Sequence, residues 1–335
     1  MLIKHGSNDR TSNSEIIFRD NDFAYKLNTE WAKWPEHLVG VPVAGGCCDK
    51  DDNIWVTTRW NDHPILMLDK DGNFVKDIGK GLFSNLHGIF VTPSGTLLCA
   101  DASNHHVIRE ITTDGELIRD FGEFDKPGNS GFDPDIWMNL KRRGILDCDA
   151  EYDVDLEFYE GLKTIVRAGE PFNKPTRMVM SAAGEYFACD GYGNAAVHKF
   201  DKDGKYVKTW GGPGYEVGQY RLPHGIWADK YDRIWVADRE NNRVQVYDTD
   251  GNQIGVVDNL DLRAAEVWSD DNYIYVGEVD GGVSILDMDM NVVAQLGYYY
   301  SPLMAHGLCG DSNSNLYIQA LHLSKTNNLL RLERV

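Results

Sequence analysis

Long apolar runs are missing from this chain of 335 residues. Nothing in it reaches the roughly 18 to 20 apolar residues of a membrane-crossing helix. The opening stretch MLIKHGSNDR has no apolar core behind its charge, unlike a secretory leader, so the chain is expected in the cytoplasm. Positive charge is also scarce. Lys and Arg number 33 against 52 Asp and Glu, a net charge of -19. A surface of that sign repels phosphate backbones and anionic lipid, which excludes nucleic acid and membrane as expected partners. Cysteine is sparse, with six in all and no C-x-x-C pair. Cys47, Cys48, Cys99, Cys189 and Cys309 fall in strand-like segments where a small hydrophobe is expected, and Cys148 falls in a polar stretch. Neither a disulfide framework nor a cysteine-metal site is therefore predicted.

What the chain has in quantity is a repeat. From Leu222 to Gly251 it reads LPHGIWADKYDRIWVADRENNRVQVYDTDG, three short runs of Ile, Val, Trp and Tyr broken by Asp, Asn and Gly. This is the pattern of an antiparallel meander. The same pattern ends a second strand at Thr58, Asp101, Asp190, Asp238, Glu278 and Ala320, at intervals of 43, 89, 48, 40 and 42 residues. One such meander cannot bury its own apolar face and needs copies as neighbours, so six units of this length predict a six-bladed β-propeller of all-β class. The propeller is expected to span 21–335, after a loose polar arm at 1–20. The last unit has only three strands, and residues 21–34 (with FAYKLNTEW) are expected to supply its fourth, closing the ring and leaving no bare sheet edge. The one long interval marks an insertion at about 124–174, between blades 2 and 3. It is acidic (DCDAEYDVDLEFYE) and contains a short helical pattern in DIWMNLKRRGIL. A segment of that length is expected to act as a lid over one mouth of the channel, with a subunit contact as the alternative.

The first strand of each unit begins fourteen residues before the end of the second, at Ala44, His87, Thr176, His224, Ala264 and His306. His occupies every second blade. Inner strands line the axis, and alternate blades of a six-fold ring stand about 120° apart, so His87, His224 and His306 should converge. Three imidazoles with an open fourth position form the ligand set of a catalytic zinc, although such sites also take iron, cobalt, nickel or copper. The same face receives residues one or two places past the end of each second strand: Arg59, Tyr192, Arg239 and His322. Arg59 is read as a clamp for a substrate carboxylate. Tyr192 is a packing aromatic or, beside a dication, a base, and Arg239 is either functional or a blade-to-blade tie. Met304 is placed at the rim as an apolar wall, His63 and His322 as proton-transfer or supporting groups, and His105 and His106 as turn residues.

These motifs resemble the NHL-type propeller of peptidyl-α-hydroxyglycine α-amidating lyase, from near Ala44 to the C-terminus. That enzyme splits a C-terminal hydroxyglycine into an amide and glyoxylate. The resemblance implies zinc at His87 (NLHGIFV), His224 (RLPHGIWAD) and His306 (LMAHGL), and a catalytic tyrosine at Tyr192 (DGYGN). It implies active-site arginines at Arg59 and Arg239 (ADREN), and a site methionine at Met304. It also exposes departures. Gly307 stands where the family has an Asp that helps to hold a structural calcium, which counts against Ca2+ here. Gly193 replaces a disulfide cysteine, in keeping with a reducing compartment, and nothing in these residues resembles the monooxygenase that makes hydroxyglycine. The resemblance implies a zinc-dependent lyase acting on an α-hydroxyglycine-like carbinolamide that carries a carboxylate. The alternatives are a hydrolase of lactone, ester or amide using metal-bound hydroxide, and a non-catalytic propeller that binds a protein partner. The oligomeric state is left open.

Overall fold

The computed structural model describes residues 7–10, 15–298, 303–321 and 327–335. Six antiparallel sheets are arranged in a ring, five of four strands and one of six. Blade 1 runs Val43–Cys48, Ile54–Thr58, Ile65–Leu68 and Phe74–Ile78, and the blades after it repeat this order from the axis outward. The inner strands touch in cyclic order (Leu86–Val91, Pro175–Met180, Pro223–Ala228, Ala264–Ser269, Gly307–Gly310), and the last returns to the first.

Burial follows the strand's place in the blade. The second strands IWVTT, LLCAD, YFACD and IWVAD are buried at every residue, because each is sandwiched between its own sheet partners and the next blade. On the rim, YVKTWG has no buried residue. Apolar clusters between neighbouring blades make up the core, so stability comes from blade-on-blade packing rather than from any one sheet.

The ring closes as expected, by pairing of the two ends of the chain. Phe23–Asn28 lies beside Leu329–Arg334 in the register Leu332↔Leu27. The loose arm expected at 1–20 is corrected in part. Ile16–Asp20 folds back on Phe23–Asn28 through a tight turn with Asn21 at φ 50°, and Ser7–Arg10 pairs outside it. Phe18 drives this, being only 1 % exposed within the core of the closing blade.

The insertion carries two helices. The first, α1 (Ile136–Arg142), is the one its apolar spacing indicated. The second, α2 (Val154–Thr164), lies inside the acidic stretch. Asp153 caps α2, its side chain accepting from the N–H groups of Asp155 and Leu156.

Candidate metal centre and its cavity

Every blade from 1 to 5 has a register slip at the start of its inner strand. Pairing passes from Val43 to Gly45, Leu86 to Ile89, Pro175 to Arg177, Pro223 to Gly225 and Ala264 to Glu266. Such bulges leave one residue outside the ladder, or two in blade 2 (His87 and Gly88), and re-aim the side chain. His87 and His224 are bulge residues of this kind. In blade 5 the matching residue is Ala265, one place beyond the Ala264 expected from spacing, because its hairpin is one residue shorter, Ala264 pairing with Glu278 where Pro223 pairs with Asp238.

The three imidazoles meet at the axis. Ring centroids are 4.8 Å apart for His87–His224, 4.8 Å for His87–His306 and 4.9 Å for His224–His306, a nearly equilateral triangle. The candidate ligand atoms lie within 4.8 Å of one another, and among the described residues no other His, Cys, Asp or Glu group could hold a metal ion.

The odd blades hold these rings in place. Nδ1 of His87 lies 2.7 Å from the Thr176 carbonyl, that of His224 2.8 Å from Ala265 and that of His306 2.6 Å from Ala44. A carbonyl only accepts, so each Nδ1 carries its ring's proton and each Nε2 presents a lone pair to the centre. The Tyr192 hydroxyl is 2.9 Å from Nε2 of His87, 2.9 Å from that of His224 and 3.4 Å from that of His306. One phenolic hydrogen cannot satisfy three converging lone pairs. The donor set fits a cation.

Electrostatics points the same way. Burial, then the charges His224 and His306 would carry, hold His87 well below the usual imidazole pKa. Burial and the Arg239 guanidinium do the same for His224. Both rings are therefore neutral, as metal ligation requires.

The His-Gly pairs now have a physical reason. A Cβ on Gly88 would stand 2.4 Å from the Thr176 oxygen, and one on Gly225 2.6 Å from the Ala265 oxygen. These are the carbonyls that receive the imidazoles, so glycine allows the close approach that orients the ring. Gly307 is similar, with Gln319 Oε1 at 2.6 Å from such a Cβ and the Ala44 oxygen at 3.1 Å.

At this level four blades carry glycine and two do not. Arg177 of blade 3 and Glu266 of blade 5 reach across the channel and pair at 2.8 Å, while Arg177 Nη2 also donates to the Gly46 carbonyl of blade 1 at 3.3 Å. Both are almost fully buried. They tie together the three odd blades, within two residues of the three orienting carbonyls.

Above the triad lies a cavity of about 640 Å³ lined by His306, Tyr192, Arg59 and Arg239 among others. Arg59 Nη1 donates to the Leu86 carbonyl at 3.1 Å and to the Asn85 side chain. Burial lowers its pKa. Arg239 pairs with Glu240 at 2.9 Å and stacks over Tyr192, 5.9 Å from the ring centroid. A Cβ on Gly191 would lie 2.3 Å from the Pro223 oxygen, so the DGY sequence lets the tyrosine loop press against blade 4. A side chain at Gly193 would strike Asn173, 2.4 Å from its Oδ1.

Other expectations need correction. Met304 does not wall the cavity: it is 43 % exposed, because its neighbours Leu303 and Ala305 turn inward and alternation turns it out. Leu321 and Val279 provide apolar lining instead. His63 pairs with Asp77 away from the cavity. His105 and His106 are in or beside a turn, as expected, and His322 lies outside the described residues. Sequence reasoning missed Phe158 and Tyr159 of α2, Lys174 and Arg263, which all line the cavity. The insertion thus forms part of the cavity wall.

Fold and site together define a six-bladed β-propeller with a tri-histidine centre on its axis, beneath a cavity walled by the insertion. A family described as a six-bladed beta-propeller matches residues 171–289. The chain is similar to mouse NHL repeat-containing protein 3, at 24 % identity over 287 residues, covering 81 % of this chain and 72 % of that protein. It is 36 % identical over 195 residues to rat peptidylglycine alpha-amidating monooxygenase, covering 56 % of this chain and 16 % of that one. To Drosophila melanogaster peptidyl-alpha-hydroxyglycine alpha-amidating lyase 1 it is 25 % identical over 195 residues, covering 55 % and 29 %. The resemblance read from the motifs is thus matched by relatives that include the amidating enzymes.

Proposed function

We propose that the protein is a zinc-dependent lyase that cleaves the C–N bond of an α-hydroxyglycine-like carbinolamide, giving an amide and glyoxylate or a related carbonyl acid. The observation that carries this is the convergence of three tautomer-fixed Nε2 atoms and one phenol on a single point, beside a half-buried arginine, Arg59, that has no carboxylate partner among the described residues. Three imidazoles with an open position suit zinc, which when bound supplies a Lewis acid for the substrate's hydroxyl oxygen.

The chain's own groups do the rest. Arg59 holds the substrate carboxylate through its planar fork, and Arg239 adds positive potential beside the Tyr192 ring. Tyr192 stands within hydrogen-bond reach of the point where the imidazoles meet and, acting in its phenolate form, takes the hydroxyl proton. As the carbonyl forms, the C–N bond breaks and the departing amide nitrogen receives that proton. No water is consumed.

Tyr192→Phe tests this. Release of glyoxylate from N-benzoyl-α-hydroxyglycine should fall by about 10²- to 10⁴-fold, the contribution of a positioned base. Turnover near the wild-type rate would remove Tyr192 from the mechanism. Solvent oxygen in the product would instead favour the hydrolase. A non-catalytic binding propeller is the second reading, prompted by the similarity to mouse NHL repeat-containing protein 3 over 287 residues. Zinc-loaded protein inert towards both carbinolamides and lactones would support that reading.

A further inference from the structure

The cavity departs from the charge balance of the chain. In a protein of net charge -19 its lining includes four cationic side chains, Arg59, Lys174, Arg239 and Arg263, beside three carboxylates, Asp133, Asp155 and Glu157. Two are neutralised in place. Arg239 pairs with Glu240 at 2.9 Å, and Arg263 with Asp280 at 2.8 Å and Glu240 at 3.5 Å. The other two are not. Among the described residues Arg59 has only the Asn85 side chain and the Leu86 carbonyl, and it is assigned above to the substrate's carboxylate.

Lys174 remains. Its ammonium lies 4.9 Å from the Phe132 ring centroid, and among the described residues no carboxylate comes within ion-pair distance. The nearby carboxylates are engaged or remote. Asp133 accepts from Asn139, Glu157 accepts from the Tyr152 hydroxyl and acts on Lys174 only across space, and Asp155 is exposed. Burial lowers the lysine's pKa, and among the described residues Glu157 works against that only across space, with no contact to the ammonium. Its backbone sits at φ 60°, a left-handed conformation rare for lysine and retained at places where surrounding structure imposes it. The Lys174 carbonyl accepts the Tyr192 N–H at 3.4 Å, so both residues are built into one corner of the cavity.

We propose that Lys174 forms a second anion subsite, so that the preferred substrate is dianionic: an N-acyl hydroxyglycine whose acyl group ends in a carboxylate. One carboxylate, next to the reacting carbon, lies at Arg59. The other, on the leaving amide, lies at Lys174. This rests on the lyase reading for the orientation of the substrate, and the test separates the two.

The probes are N-succinylglycine and N-butyrylglycine, unreactive because they lack the hydroxyl, and matched except for a terminal carboxylate in place of a methyl. Calorimetry on the full-length zinc-loaded protein should show N-succinylglycine binding roughly 10- to 100-fold more tightly, the worth of a charge-assisted contact. Lys174→Met and Lys174→Gln should both bring that ratio close to one. Each keeps a Cβ at the left-handed position, and a melting curve checks that each is folded. Equal binding in the wild type, or a preference that survives in both variants, would overturn the subsite. If the preference is present and lost as stated, yet N-succinyl-α-hydroxyglycine releases no glyoxylate, the subsite stands and the lyase reading falls.

Discussion

Even and odd blades of this propeller do different work with nearly the same backbone. Blades 2, 4 and 6 present His87, His224 and His306 to the axis. Blades 1, 3 and 5 present none, yet their carbonyls at Ala44, Thr176 and Ala265 fix the protonation and direction of every imidazole. The odd blades also carry the Arg177–Glu266 pair with its tie to Gly46. The difference teaches that a metal ligand set can be split between the residues that donate and the neighbours that aim them, and that the second half lies in backbone atoms.

The strongest way to break this division is to cut the tie between the odd blades. Arg177→Met leaves Glu266 buried without its partner and should cost about 3–5 kcal/mol of stability. Thermal or denaturant unfolding measures it. The double variant Arg177→Met/Glu266→Met should recover most of that loss, since two apolar groups can replace a buried ion pair. A single variant as stable as the wild type would show that the pair braces nothing.

A smaller perturbation acts at the seam between even and odd. Gly225→Ala pushes a Cβ against the Ala265 carbonyl and the Glu266 carboxylate, at 2.6 and 2.4 Å. It should cost about 1–3 kcal/mol through overpacking. Zinc affinity, measured by chelator competition, should fall by about 10- to 100-fold, as when a ligand's outer partner is disturbed. Gly95, in an open turn with nothing near a Cβ, is the control for affinity, since its φ of 84° strains the backbone without touching the site.

The smallest effect is on pH dependence. Burial holds His87 and His224 well below the ordinary imidazole pKa. The unfolded chain therefore takes up protons first, near pH 6.5. The associated stability is full above that value and is lost as pH falls towards the folded pKa values. The metal-free wild type should lose melting temperature between pH 6.5 and 5 more steeply than the double variant His87→Gln/His224→Gln. Parallel curves would contradict the assignment of neutral, buried rings.

Much of this was legible in the residues. Spacing of Ile, Val, Trp and Tyr between Asp and Asn turns gave six units, and the alternation of His with Ala or Thr pointed to the axis. The closing strand followed from the count of strands in the last unit. The orienting carbonyls were not legible, since any residue supplies one. Arg177 and Glu266 are far apart in sequence and meet only because the ring closes, and Lys174 acquires meaning only as lining of the same cavity as Arg59. Helix α2 was hidden by its acidity, although Asp153 before Val154 marks its cap, and half-buried Leu156 and buried Leu162 mark its inner side. Met304 was misplaced because its nearness to His306 in sequence suggested the rim, a role that the local alternation of Leu303, Met304 and Ala305 does not support.

The most direct measurement is metal content by elemental analysis of the purified protein beside its His224→Ala variant, each dialysed against excess zinc and then buffer. The account predicts close to one zinc per chain in the first, held by three nitrogen ligands at about 2.0–2.1 Å in X-ray absorption, and next to none in the second. Equal metal in both proteins, or none in either, would contradict it.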